Sequence, residues 1–305
     1  MERREFLYSV GATSAATALL TQSSEAATVK YAHQDGKSPW PLSMNTSTIR
    51  PASLLEKIDI TAAAGYDCIE LWMNDLEDYA KGGGSLEELR KRIEDAGLYV
   101  INVIGLWACM PSDDGEFLKM MDTNKKRMEV AARVGSKHVA VLPLPQPDGE
   151  IFDIKKATGR YRHILEVGLN EIGIHPTMEF VSVFREFKLM GQAVQVALDA
   201  DHPQASILAD TFHLHNGGSG FTGLQFLQGD FISVFHWNDV LDTPKPGAMG
   251  DADRIFPGDG ILPLEKAMRD LKGIGYTGPL SLELFNRAHW DMDPKVVAQQ
   301  GIEKM

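Results

Sequence analysis

Cysteine is scarce in this chain. Cys68 and Cys109 are the only two in 305 residues, and neither stands in a C-x-x-C spacing. That excludes a disulfide scaffold and a thiolate zinc knuckle, although one pairing between the two stays open. No apolar run beyond the N-terminal leader reaches the ~18 residues that a membrane span needs. Cationic charge is in deficit: 30 Lys and Arg against 42 Asp and Glu leave a net charge of −12. Nucleic acid and anionic membrane surfaces are therefore poor partners. No G-x-G-x-x-G follows the first apolar run and no G-x-S-x-G occurs, so the usual dinucleotide fingerprint and the nucleophile elbow are both missing. Glycine (28) and proline (15) are ordinary in number, which sets aside collagen and low-complexity chains. What is left is an acidic globular chain, long enough for a large core, with a small molecule as its expected partner.

The N-terminus reads as an address. Arg3-Arg4 followed by Phe6-Leu7, a small-residue stretch from Tyr8 to Leu20 and then Ser24-Glu25-Ala26 have the layout of a twin-arginine export signal with its cleavage site. Residues 1–26 are expected to be a signal peptide, 27–40 a linker and 41–305 one catalytic domain. The product is expected outside the cytoplasm, without a stable membrane anchor; self-association is left open.

From Pro41 onward, short apolar runs alternate with stretches of helical period. The runs are Leu42–Asn45, Cys68–Met73, Tyr99–Leu106, His138–Leu142, Thr177–Val181, Ser206–Asp210, Ile232–His236 and Leu280–Leu284. Between them lie Ser53–Ala64, Leu86–Ala96, Glu116–Val134, Tyr161–Ile172, Gln192–Leu198 and Leu264–Leu271. Gly65, Gly97, Gly135, Gly173 and Gly275 fall where these helices should end. Nearly continuous apolar strands separated by helices indicate parallel strands buried on both faces. Eight units of about 33 residues each fit a single-domain (β/α)8 TIM barrel better than a doubly wound sheet.

In such a barrel the chemistry sits at the C-terminal ends of the strands. Four runs place a potential metal ligand there: Glu179, Asp210, His236 and Glu283, at intervals of 31, 26 and 47 residues. Each interval is one strand–helix unit, the last lengthened by a long loop. Consecutive strands would deliver three carboxylates and one imidazole to one point. That set suits one divalent cation, Mn²⁺ first, with Mg²⁺, Co²⁺ or Zn²⁺ as alternatives. His213, three residues after Asp210, stands at the mouth where it can face a ligand. Glu70, ending the second strand, is a candidate for substrate contact or for a hydrogen bond to a neighbouring loop, and Trp107, just past the third, for an aromatic wall against a sugar ring or for core packing. His138 and His175 open their strands and so belong at the opposite end, in structural roles. The run from Asn216 to Gly220 reads as a loop before it reads as a phosphate cradle.

Glu179, the run Asp210-Thr-Phe-His213, His236 and Glu283 together resemble the xylose-isomerase-like barrel superfamily of sugar isomerases and epimerases. Asp210-Thr-Phe-His-Leu-His-Asn-Gly-Gly-Ser219 is similar to both the ketose 3-epimerases and the inosose isomerases. Asn238-Asp-Val-Leu-Asp-Thr-Pro and Asp253-Arg-Ile-Phe-Pro-Gly-Asp-Gly260 lean toward the inosose isomerases. The resemblance implies one divalent metal on Glu179, Asp210, His236 and Glu283. It implies proton transfer by Glu179 and Glu283, and substrate oxygens bound by His213 and Arg254. In the ketose epimerases an arginine closely follows the post-strand histidine. Here Asp242 occupies that neighbourhood and Arg254 is the nearest arginine.

The expected activity is isomerisation or epimerisation of a sugar or cyclitol ketone through an enediolate. A proton next to a carbonyl is too weakly acidic for an unaided carboxylate, and a Lewis acid on the oxygens supplies the missing stabilisation. Two rivals share the fold: a lyase or dehydratase that lets the same intermediate expel a β-substituent, and a non-catalytic carbohydrate-binding barrel. Fold alone does not choose among them.

Overall fold

Eight parallel strands close a barrel in this computed structural model, which describes residues 32–143 and 152–305. They are β1 Leu42–Asn45, β2 Cys68–Trp72, β3 Val100–Leu106, β4 His138–Val141, β5 His175–Glu179, β6 Ile207–Asp210, β7 Ile232–Trp237 and β8 Leu280–Leu282. Each pairs in parallel with its sequence neighbour, and β8 closes on β1. The expected fold is therefore the observed one, with strand ends within two residues of expectation. The shifts matter at two places: β5 begins at His175 and ends on Glu179, and β8 ends one residue before Glu283. The expected signal segment lies outside the described residues. Residues 32–40 do not hang free as a linker. Gln34 donates to Gly65 O and Asp67, and the buried Trp40 donates its indole N–H to Tyr276 O at 2.9 Å.

The helices form where local chemistry agrees with the apolar period. α1 (Leu54–Ala64) opens on a capping box in which Ser53 and Glu56 satisfy each other's backbone N–H. It stops at Gly65, whose φ of +91° is a left-handed conformation that a Cβ would penalise. The other four glycines expected at helix ends also take positive φ. Among the described residues four α-helices escaped the sequence pattern: α2 (Met73–Lys81), which follows directly on β2 without a polar cap, the short Thr211–Asn216 and Arg287–Trp290, and α3, the C-terminal Pro294–Lys304. No helix among the described residues is long and apolar enough to cross a membrane.

The fold positions the site by register. Asp210 of β6 pairs with His236 of β7, and His236 with Ser281 of β8. On the far side Asn45 of β1 pairs with Glu70 of β2, and Glu70 with Asn102 of β3. A polar layer is thus assembled inside the barrel, immediately beneath its C-terminal mouth.

Candidate metal centre and substrate pocket

Glu179, Asp210, His236 and Glu283 converge, all buried. His236 Nδ1 lies 3.4 Å from Glu179 Oε1, 3.4 Å from Asp210 Oδ2 and 3.0 Å from Glu283 Oε2. It has no hydrogen-bond partner there, although it is completely buried. A buried nitrogen without a partner is costly, and one facing three carboxylate oxygens is placed as a metal ligand is placed. Among the described residues, Asp210, His236 and Glu283 form one group that could hold a metal ion, and Glu179, Asp210 and His213 form an overlapping one; carboxylates with an imidazole suit a divalent cation.

Three of the four candidate ligands are held from behind. Asp210 caps the short helix Thr211–Asn216: its Oδ1 accepts from the N–H groups of Phe212 and His213 and from Asn238 Nδ2, which leaves Oδ2 for the site. Glu283 is fixed by Asn45 Nδ2 on Oε1 at 3.0 Å and by Arg254 Nη1 on Oε2 at 2.8 Å. His236 donates from Nε2 to Glu70 Oε1 at 3.0 Å. Glu179 takes only charge contacts, from His213 and His236. The charges act accordingly. Burial pushes the Glu179 carboxyl up to about 7 and raises that of Glu283. The Arg254 charge overcomes burial at Asp210 and holds it well below the carboxylate range. Burial opposes a charged His236, but Glu283 and Glu70 outweigh it and hold its pKa well above the usual value. A cation entering the cluster would displace that proton.

Arg254 reaches this cluster by a route that spacing alone does not show. The long loop after β7 folds back as an antiparallel ribbon, Asp239–Val240 against Arg254–Ile255. The Asp239 carboxylate gathers the N–H groups of Gly258, Gly260 and Leu262. Gly260 sits so close to Val240 O that a Cβ would lie 2.1 Å from it, so only glycine fits. The ribbon buries Arg254, whose Nη1 also binds Asp210 Oδ2 at 2.6 Å and whose Nη2 meets Asp251 at 3.1 Å.

His213 is beside the cluster, not among the four. Its Nδ1 accepts the Ser182 N–H at 3.2 Å, and burial pushes its pKa down to about 4. Its Nε2 lies 3.2 Å from Arg254 Nη2, whose N–H can only donate, and 3.9 Å from both Glu179 and Asp210. It lines the cavity over the cluster, and with Glu179 and Asp210 it forms a group that could hold a metal ion.

A cavity of about 220 Å³ opens over the cluster. Glu179, His213, Asp251, Arg254 and Glu283 form one side, and Trp72, Trp107 and Phe285 with Ile104 and Phe184 form the other. Trp107 stacks on Trp72 with centroids 5.8 Å apart, and Phe285 meets Trp72 edge-on. Ala108 takes φ +50° directly after Trp107, an uncommon conformation for a residue with a Cβ. Trp72 and Phe285 were missed from sequence, although both lie within two residues of a strand-end carboxylate. Asp251 had no such signal.

Glu70 requires correction. It does not line the cavity but is buried below it, with every carboxylate contact made to protein. The Asn216–Gly220 run is likewise no cradle. Asn216 binds Ser182, Gly247 and Met249, and Ser219 accepts from the Met190 N–H. His138 and His175 stand at the opposite end, as expected. His138 Nδ1 contacts Ile101 O at 2.9 Å and His175 Nε2 contacts Gln204 O at 2.6 Å.

Comparison with known proteins follows the same lines. The family model for the xylose isomerase-like TIM barrel matches residues 58–305. The chain is 26% identical over 261 residues to an inosose isomerase of Bacillus velezensis, covering 84% of this chain and 91% of the relative. It is 26% identical over 247 residues to a 3-dehydroshikimate dehydratase of Pseudomonas putida, covering 77% of this chain but 36% of that longer protein. A solved structure of the IOLI protein with a binding zinc atom superposes with a TM-score of 0.80 at 23% identity, over 87% of this chain and 96% of that one.

Proposed function

Because the chain belongs to the xylose isomerase-like TIM-barrel family, we propose that it is a metal-dependent isomerase of a cyclic polyhydroxylated ketone, an inosose-type cyclitol. The observation that carries this reading is the partnerless His236 Nδ1 within 3.4 Å of three carboxylate oxygens, directly below an aromatic-walled cavity. The inosose isomerase relatives support the cyclitol ketone as substrate class.

Glu179, Asp210, His236 and Glu283 would hold the cation, with Mn²⁺ the first choice for a set rich in oxygen donors. When bound it supplies Lewis acidity toward a carbonyl oxygen and its neighbouring hydroxyl. The protein's own groups do the rest. His213, on the cavity wall, hydrogen-bonds a substrate oxygen. Arg254, held by Asp210, Glu283 and Asp251, presents a fixed positive charge against the oxygen on which negative charge grows. Glu179, the carboxylate without a hydrogen-bonding clamp, takes the proton from the carbon beside the carbonyl, and Glu283 or Glu179 itself returns it. Return to the adjacent carbon moves the carbonyl; return to the opposite face of the same carbon epimerises it. Trp72, Trp107 and Phe285 offer an apolar face to the ring's C–H groups and keep bulk water from the reacting carbon.

Deuterium exchange tests this. Mn²⁺-loaded protein in D₂O, given a panel of inososes and ketoses, is expected to place deuterium next to the carbonyl. A chelator or Glu283→Gln is expected to abolish it. Loss of water from the substrate instead would move the activity to the dehydratase reading, which the dehydratase relatives support. No exchange and no elimination in metal-loaded protein would sink the proposal. Export through Arg3 and Arg4 belongs to the same proposal, and replacing both with lysine is expected to retain the protein in the cytoplasmic fraction.

A further inference from the structure

We infer that Glu70 and Asn45, buried beneath the cavity, are positioning residues for the cation site. Glu70 sets which nitrogen of His236 faces the cluster, and Asn45 ties that setting to Glu283 and to the Trp72 wall. The inference rests on the metal reading given above and deepens it.

Glu70 is surrounded by donors. Oε1 accepts from Asn102 Nδ2 at 2.7 Å and from His236 Nε2 at 3.0 Å; Oε2 accepts from Ser281 Oγ at 2.6 Å and Asn45 Nδ2 at 2.9 Å. These four partners come from β3, β7, β8 and β1, so the closed barrel is needed to assemble them. None is a lysine or arginine, and among them only His236 is able to carry positive charge. An ionised carboxylate accepts and never donates. The His236 ring must therefore keep its proton on Nε2, which turns the Nδ1 lone pair toward Glu179, Asp210 and Glu283. A carboxylate behind a ligating imidazole also raises the basicity of the ligating nitrogen.

Asn45 extends the arrangement. Its Nδ2 donates to Glu70 and also to Glu283 Oε1 at 3.0 Å. Its Oδ1 accepts from Trp72 Nε1 at 2.7 Å and Ser47 N at 3.0 Å. The amide cannot be flipped without setting acceptor against acceptor and donor against donor. One buried side chain thus connects Glu283, and through Glu70 also His236, with the wall of the substrate cavity.

Glu70→Gln is the test. It keeps the size and the acceptor for His236; its new amide hydrogens face Ser281, whose hydroxyl can turn to accept them, and Asn45 Nδ2, which loses an acceptor but keeps Glu283. Calorimetry is expected to show Mn²⁺ or Co²⁺ bound about 10–100-fold more weakly. The visible absorption of the Co²⁺ form should change, while the metal-free protein still melts cooperatively. Parent-like affinity and an unchanged Co²⁺ spectrum would overturn the inference and leave the metal site standing. A parent that binds no divalent cation would overturn both. A second measurement needs no variant: ¹⁵N imidazole spectra of the Zn²⁺-loaded parent should show His236 protonated on Nε2 and not on Nδ1. A proton on Nδ1 would overturn the inference directly.

Discussion

The two ends of this barrel treat buried polar groups in opposite ways. Toward the N-terminal end the polar network is neutral and its members are paired. Thr177 Oγ1 meets Ser233 Oγ at 2.6 Å and Ser206 Oγ at 3.1 Å, and Tyr161 OH bonds Ser206 O at 2.8 Å. His138 and His175 are both held below their usual pKa by burial. At the mouth, three carboxylates, an arginine and an imidazole are crowded together, and two nitrogens, His236 Nδ1 and Arg254 Nε, are left without a hydrogen-bond partner. Pairing at one end serves the fold; the charge crowded at the other is what a divalent cation would balance. The same closed sheet carries both because the strands alternate with helices that cover its outside, so its interior is the only place where eight strand ends meet.

The contrast can be broken most forcefully at the mouth. Glu179→Gln is expected to slow deuterium exchange by about 10²–10⁴-fold. It should leave the melting temperature unchanged or raise it, because one of several like charges is removed. A large loss of stability would mean that the mouth is built for the fold as well.

The next effect is at the opposite end and depends on pH. The His138 pKa is pushed down to about 4 by burial, against about 6.5 in an unfolded chain. Below pH 6.5 the unfolded state takes up the proton first. Stability present at neutral pH is therefore lost as pH falls toward 4, by about 2–3 kcal/mol at pH 4.5. Thermal melts of the parent and of His138→Asn would show it, the variant having the shallower slope. Equal slopes would remove His138 from the account.

Tyr161→Phe sharpens the comparison further. It deletes the hydroxyl that joins Pro176 O and Ser206, and is expected to cost about 1–2 kcal/mol in denaturant titrations with kcat unchanged. The smallest effect is expected at the cavity's outer wall. Arg50 lies over the rings of Trp72, Phe285 and Trp290, at 4.9, 5.4 and 5.5 Å. Arg50→Met should raise KM by about fivefold or less without lowering kcat.

Much of this was legible in the chain itself. Strand positions followed from apolar runs bounded by Gly, Pro and Asp, because a strand buried on both faces has no freedom to be polar except at its end. For the same reason Glu179, Asp210, His236 and Glu283 stood out: each interrupts or terminates an apolar run where burial of a charge needs a purpose. Glu70 broke the same rule and was misassigned. Spacing shows that a carboxylate ends a strand, but not whether it points up into a cavity or sideways into the donors of four other strands.

The sequence alone therefore determined the barrel, the four ligand candidates and the end at which they act, since these depend on local periodicity and on which residue types tolerate burial. Tertiary structure decided the rest. Closure of β8 on β1 brought Asn45 and Ser281 to Glu70, and the ribbon after β7 carried Arg254 to Asp210 and Glu283. These contacts join residues far apart in the chain, and their distances are set by how the sheet closes and the loops pack, which no local pattern encodes.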